Sequence, residues 1–287
     1  MKNGISSMSG DRNSRRDTSL GTAASVSYFA GYSVISLPLD MDMGIGLYSM
    51  IGSVNNPMDS TGGTLVFQDK FAVITGAASG IGLACVERLQ DFGYQLQLLD
   101  INPIKGSQIE KIDLSKENPR LKRAPDVVVC SHGIGGLGHT WEEVIATNLY
   151  GVRNVVEESV RLMLEEEKGG SIVLIASMTG PVIGNKGMEV ANYAASKGAV
   201  VGYMRQRAVE LAAHNIRINA VCPGPVVTPM TDNLKRRDYK LYHEFFGRCL
   251  LPGVTTPTDI AEAVVYLAHS RRVTGTTLVI DGGYSIW

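Results

Sequence analysis

Four consecutive apolar residues, Phe71-Ala72-Val73-Ile74, lead straight into Thr75-Gly76-Ala77-Ala78-Ser79-Gly80-Ile81-Gly82, and a helical stretch follows to about Phe92. A short apolar run without polar alternation reads as a strand buried on both faces, the habit of parallel sheets. Glycines after such a strand let the backbone come close to a ligand, and the helix that starts there offers unpaired N–H groups. That combination suits a dinucleotide pyrophosphate. Gly76, Ser79, Gly80, Ile81 and Gly82 are the candidate contacts. The expected fold is α/β, with a single Rossmann-like, doubly wound parallel sheet carrying helices on both faces.

The next apolar run, Gln95 to Leu99, ends at Asp100, eighteen residues beyond Gly82. A carboxylate there can accept hydrogen bonds from the adenosine ribose hydroxyls and would repel a 2′-phosphate. Ala77, Ala78 and Ile101 to Pro103 supply no cation to hold such a phosphate. NAD is therefore expected in preference to NADP. Twelve residues, including Asn102, Pro103 and Gly106, separate Asp100 from Asp113, too few for a full crossover helix. Asp113-Leu114 is placed to reach the adenine, or simply to form an exposed turn. Asp126 to Cys130 reads as another central strand, and Ser131, His132 and Gly133 follow it.

In the second half, a long amphipathic helix expected from Trp141 to Lys168 carries Asn148, and a strand from Ser171 to Ala176 precedes Ser177. Open parallel sheets bind ligands beyond the carboxyl ends of their strands, which is where Ser177 falls. Sixteen residues later comes Tyr193, with Lys197 four residues on. On a helix that spacing stacks both side chains on one face. A free phenol titrates near ~10, too high for a good base at neutral pH. A fixed cation beside it favours the phenolate and makes tyrosine a usable acid or base. The same spacing also arises from a buried ring beside a solvated charge. A strand from Ile216 to Val221 and the turn Cys222-Pro223-Gly224-Pro225 come next, with Val226 and Thr228 close behind.

From residue 70 to 287 the chain resembles a short-chain dehydrogenase/reductase. The motifs that carry the resemblance are Thr75 to Gly82, Asn148 in Thr-Asn-Leu, Ser177, the Tyr193-Lys197 pair, Pro223-Gly224 and the ending Thr274 to Gly283. The resemblance implies a catalytic tetrad. Tyr193 would exchange a proton with the substrate oxygen and Ser177 would hydrogen-bond that oxygen. Lys197 would bind the nicotinamide ribose and lower the tyrosine pKa, and Asn148 would fix a water that relays protons through Lys197. Pro223 to Thr228, with Val226 between them, would lie along the nicotinamide. Two departures stand out. The Asn-Asn-Ala-Gly usual after the fourth strand is here Cys130-Ser131-His132-Gly133, which sets an imidazole near the expected adenine ribose. The interval from Gly133 to Asn148 is also short.

The implied activity is interconversion of a secondary alcohol and a ketone by NAD(H)-dependent hydride transfer, on a polyol, sugar or cyclic alcohol. A same-fold NAD(H)-binding protein with little turnover and an NADP-dependent 3-oxoacyl-carrier-type reductase are the competing readings. Residues 228 to 252 are expected to form a lid with Tyr239, Tyr242, Phe245, Phe246 and Leu250 on its inner face. The family's habit of assembling through its two long helices implies a homo-oligomer, a dimer or tetramer.

Composition narrows the field. With 27 basic and 28 acidic residues, nothing points to nucleic acid or an anionic membrane. Cys85, Cys130, Cys222 and Cys249 form no CxxC pair and the five histidines no HExxH, so no metal is expected and the thiols suit a reducing, cytoplasmic setting. Residues 1–66 differ from the domain at 67–287: they are rich in Ser, Gly and Met, and are expected to form a loosely ordered extension. Arg12, Arg15 and Arg16 also fit a transit peptide, against which stand Asp11 and Asp17.

Overall fold

The computed structural model describes residues 70–286 and, before them, three short strands: β1 (Ser25–Phe29), β2 (Tyr32–Ser36) and β3 (Leu65–Phe67). The chain divides into two compact units, Met1–Asp69 and Lys70–Trp287. In the first, β1 pairs with β2 and β2 with β3, all antiparallel. Otherwise the loose extension expected over residues 1–66 lies outside the described residues.

The second unit is built on seven parallel strands. These are β4 (Phe71–Thr75), β5 (Gln95–Asp100), β6 (Glu110–Lys111), β7 (Val127–Cys130), β8 (Gly170–Ile175), β9 (Ile216–Pro223) and β10 (Thr277–Ile280). Their order is β10-β9-β8-β7-β4-β5-β6. Strand order reverses between β4 and β7, so the crevice beyond their carboxyl ends is the ligand-binding position of an open sheet. Every residue of β4 and of β7 is buried, as their unbroken apolar runs require of strands covered on both faces.

Helices α1 (Gly80–Asp91) and α7 (Pro257–His269) cover one face, where Leu89, Ile260, Val264 and Leu267 join Ile74, Val129 and Val173 in one core. Each fully buried aliphatic side chain of this kind stabilises the fold by roughly 1.5–3 kcal/mol. The other face is covered by α3 (Val152–Glu165) and α4 (Ala191–Leu211), with Val155, Val156, Val200 and Met204 packed on Val128, Ile172 and Ile218. The helix expected from Trp141 to Lys168 is not continuous: α2 (Trp141–Ile145) passes into a π-helical turn, Ala146–Gly151, before α3. Single π-turns of this kind cost regular hydrogen bonding and gather at functional sites. Among the described residues no helix is long and apolar enough to cross a membrane.

Beyond Asp100 no crossover helix forms up to β7. Residues 112–125 take its place, with Ile112 and Leu121 packed on Phe71, Val73 and Leu99. Gln97 lies on the same face of β5 and is almost wholly buried. Its amide donates to the Arg120 carbonyl at 2.9 Å and to Glu110 Oε2 at 3.2 Å, and accepts from Lys122 N at 3.0 Å. A polar side chain in a core must be satisfied in this way. Here it fastens an irregular segment to the sheet edge.

Candidate active site

The turn after β4 is shaped by steric exclusion. A Cβ on Gly82 would sit 2.0 Å from the Gly76 carbonyl oxygen, and one on Gly76 would sit 2.8 Å from His132 N. Gly76 and Gly80 also hold positive φ, +66° and +53°, a region that glycine enters without penalty. Ser79 is the N-cap of α1, and its side chain makes no capping hydrogen bond. The first-turn N–H groups of α1 are therefore not closed off by a cap, and they face the crevice with the positive end of the helix dipole. Asp100, at the tip of β5, accepts from Ala78 N at 3.0 Å through one oxygen and from Asn102 N at 2.8 Å through the other. Its carboxylate is thereby fixed against the glycine turn.

Asn148 lies in the π-turn, fully buried. Its Oδ1 accepts from Ile134 N at 2.8 Å, and its Nδ2 donates to the Ile134 carbonyl at 3.0 Å and to Ser196 Oγ at 3.1 Å. Both amide protons are thus committed to protein partners, and Asn148 binds the loop after β7 to α4. Ser196, which the sequence did not single out, passes the connection on to the Tyr193 carbonyl at 2.7 Å. Asn192 is a second residue that sequence reasoning missed. Its Nδ2 donates to the Gly136 and His139 carbonyls, and its Oδ1 accepts from Tyr193 N at 2.8 Å. Asn192 is the second residue of α4 and lies inside the helix, past its cap position, so no capping pattern marked it.

Tyr193 and Lys197 sit one turn apart at the start of α4, with the Lys197 Nζ 5.7 Å from the centre of the tyrosine ring. Lys197 is buried, and its Nζ donates to the Ile175 carbonyl at 2.8 Å. Burial pulls its pKa down to about 8. The phenol of Tyr193 is held above its ordinary pKa: burial raises it, and a hydrogen bond with Ser177 opposes that shift. Burial outweighs any lowering of the phenol by the Lys197 ammonium, which is hydrogen-bonded to the strand carbonyl.

Ser177 follows β8 and is buried. Its Oγ accepts from Thr179 N at 3.1 Å, which leaves its hydroxyl proton free to point towards Tyr193 and the crevice. Pro223 ends β9, and its carbonyl accepts from Met178 N, which ties the Ser177 loop to the Pro223-Gly224 turn. A Cβ on Gly224 would lie 2.7 Å from the Asp281 Cα, so this turn packs tightly on the chain's last turn. Thr228 caps α5 (Pro229–Arg237), and its methyl would be 3.4 Å from a Cβ on Gly80, which brings the two ends of the crevice together.

Other expected contacts are placed differently. Asp113 is turned into its own loop, accepting from Ser115 and Lys116, which hold its carboxyl below the usual range. The Leu114 and Val226 side chains are buried in the two cores, leaving only their backbones for a ligand. His132 does not reach towards the adenine ribose. Its Nδ1 lies 2.6 Å from Thr75 Oγ1, and its Nε2 is buried without a partner, 2.9 Å from where a Cβ on Gly151 would stand. Burial, helped by the Lys197 charge, lowers its pKa to about 3, so it is a neutral imidazole packed against the π-turn. Ser131 and Gly133 remain at the crevice. A Cβ on Gly133 would stand 3.1 Å from Asn148 Oδ1 and 3.5 Å from Lys197 Nζ.

The lid consists of α5 and α6 (Tyr239–Gly247). Tyr242, Phe245 and Phe246 pack on one another, and Phe245 meets Tyr284 at 5.5 Å. Tyr239 and Leu250 are exposed rather than turned inward.

The tightly packed glycine turn from Gly76 to Gly82, the uncapped α1 N-terminus and the fixed Asp100 carboxylate fit a nicotinamide dinucleotide. A crevice of this kind beside a tyrosine, a buried lysine and a serine defines a nicotinamide-dependent oxidoreductase. Comparison with known proteins agrees. A family model described as enoyl-(acyl carrier protein) reductase matches residues 123–285. The 3-oxoacyl-[acyl-carrier-protein] reductase of Thermotoga maritima is 33% identical over 250 residues, covering 76% of this chain and 99% of that protein. Among solved structures, 4-hydroxyisoleucine dehydrogenase complexed with NADH superposes with a TM-score of 0.68 at 29% identity, over 76% of this chain and all of that one. A Beutenbergia cavernae protein described as an NAD(P)-dependent gluconate 5-dehydrogenase, with NADP bound, gives 0.66 at 31% identity, over 75% of this chain and 96% of that one. The chain belongs to the short-chain dehydrogenase/reductase family, and it is an NAD(P)-dependent oxidoreductase acting on small molecules.

Proposed function

We propose that this protein interconverts a secondary alcohol and a ketone with NAD(H), using Tyr193 as the acid and base. The observation that carries the reading is the convergence of Tyr193, Ser177 and Lys197 at the strand ends beside the glycine turn. The cofactor, when bound, supplies or takes the hydride. The chain's own residues do the rest. Ser177, with its acceptor side held by Thr179 N, donates to the substrate oxygen. Tyr193, kept protonated by burial, delivers a proton to that oxygen in reduction and recovers it in oxidation. Lys197 offers its ammonium to the ribose position, and Asn148 fixes the Ile134 loop beside it. Gly76, Ser79, Gly80, Ile81 and Gly82 would hold the pyrophosphate. Ser131, Gly133, Pro223, Gly224 and Thr228 would line the remainder of the dinucleotide.

The Asp100 carboxylate supports NAD over NADP, because it stands fixed where a 2′-phosphate would bring a second negative charge. The partly buried aromatic lid supports a neutral substrate such as a polyol, sugar or cyclic alcohol. A 3-oxoacyl thioester is the second reading, favoured by the near full-length match to an oxoacyl-carrier reductase. An assembly of two or four copies through α3 and α4 is part of the same proposal. The test is NADH fluorescence against a panel containing cyclic ketones, keto-sugars and acetoacetyl-CoA. Consumption with one class assigns the substrate. NADH binding with no consumption by any probe would overturn the enzyme reading.

A further inference from the structure

A chain of hydrogen bonds, completed by the covalent frame of Thr179, links the residues after α6 to Ser177. Arg248, just past α6, stacks on the Tyr284 ring at 4.8 Å and donates from Nη1 to its hydroxyl at 3.4 Å. That hydroxyl donates to Asn185 Oδ1 at 3.0 Å, Asn185 Nδ2 donates to Thr179 Oγ1, and Thr179 N donates to Ser177 Oγ at 3.1 Å. The bonds from the guanidinium to Thr179 Oγ1 run donor to acceptor in one direction and polarise one another, and Thr179 then carries the link to Ser177 as a rigid covalent step, from its side chain to its own backbone N–H. Tyr284 and Thr179 are buried.

The segment is also anchored from both sides. Leu250 N and Leu251 N, after the lid, both donate to the Gly282 carbonyl, and Asp281 accepts from Gly283 N and Ser285 N through its two oxygens. Phe245 of the lid packs edge-on against the same Tyr284 ring. Tyr284 therefore touches α6 by packing and the Ser177 loop by a hydrogen bond. No local pattern marks this link, since Tyr284 and Asn185 lie 99 positions apart in the chain.

We propose that Tyr284 is a positioning residue for the reaction: through Asn185 and Thr179 it couples the seating of the lid to the orientation of the Ser177 hydroxyl. The proposal rests on the oxidoreductase reading above. It assigns to the last turn a role in setting the proton that meets the substrate oxygen, which is separate from holding the cofactor.

Tyr284→Phe keeps the ring packing and removes only the bridging hydroxyl. With NADH and whichever ketone of the panel the unaltered protein consumes, Tyr284→Phe and Asn185→Ala should each lower kcat by about five-fold or more, the scale of a misplaced catalytic group. NADH affinity should not change, and the double variant should be no slower than the worse single one. Tyr203→Phe, which deletes a hydroxyl bonded to Glu157 outside this line, serves as control. Melting temperatures of the same four proteins form a second cycle that needs no turnover, and the two losses should be non-additive there as well. Unchanged kcat in Tyr284→Phe, or additive losses in either cycle, would overturn the proposal. If the unaltered protein consumes no probe, the enzyme reading fails by itself and the melting cycle alone decides whether the line is coupled.

Discussion

The Lys197 ammonium donates to the Ile175 carbonyl at 2.8 Å, from a site only 4% exposed. A strand-end carbonyl thus holds the cation at the mouth of the crevice, and burial of the charge is what brings its pKa to about 8. Its folded-state value lies below its unfolded one. The native state therefore carries a desolvation cost while the lysine is charged, and stability rises as pH climbs from about 8 towards the unfolded value. Lys197→Met should accordingly raise the melting temperature near pH 7 while abolishing most turnover, and the stabilisation should shrink above roughly pH 10. Thermal melts at several pH values check this. A lower melting temperature near neutrality would contradict it.

Tyr193→Phe removes the proton donor but keeps the ring. Turnover should fall by about 10²–10⁴, the usual contribution of a positioned acid. NADH binding, followed by fluorescence titration, should stay within about two-fold.

His132 is half-buried with its Nε2 enclosed, and desolvation, followed by the Lys197 charge, lowers its pKa to about 3. Between about pH 6.5 and 3 the unfolded chain takes up a proton on this residue and the folded one does not, so stability is lost as pH falls through that window. His132→Gln retains a polar group beside Thr75 without that proton. Denaturant melts at pH 7 and pH 4.5 should show a smaller acid-induced loss in the variant than in the parent.

Asp100→Asn should leave an acceptor for Ala78 N while removing the charge. On the proposed NAD reading, the ratio of kcat/KM with NADH to that with NADPH should fall by about ten-fold or more. An unchanged ratio would show that specificity resides elsewhere.

Gly180 holds φ at +101°, and a Cβ there would lie 2.1 Å from the Ala194 carbonyl. Gly180→Ala should push the Ser177 loop off the first turn of α4. Activity should fall by more than about ten-fold, with a lower melting temperature, because overpacking against backbone has no side chain to relax.

The sheet and the catalytic group were legible because local rules fixed them. The buried runs at Phe71 and Val127, the glycine exclusions at Gly76 and Gly82 and the four-residue interval from Tyr193 to Lys197 each leave a pattern within a few residues. What escaped reading depends on distant partners or on backbone detail. The π-turn at Asn148 looks like ordinary helix in sequence. The turning of Lys197 towards Ile175 requires knowing that β8 ends beside α4. His132 was read by its chemistry, yet its place is set by Thr75 and by the absent side chain at Gly151. The Tyr284 link joins segments that no local periodicity relates.

Gln97 holds residues 120–122 to the sheet where a packed helix would otherwise share the task among many contacts. That flank is held by the bonds of Gln97, the short β5–β6 pairing and the packing of Ile112 and Leu121, so amide hydrogens of residues 110–122 should exchange before those of β7 and β8, which are buried on both faces.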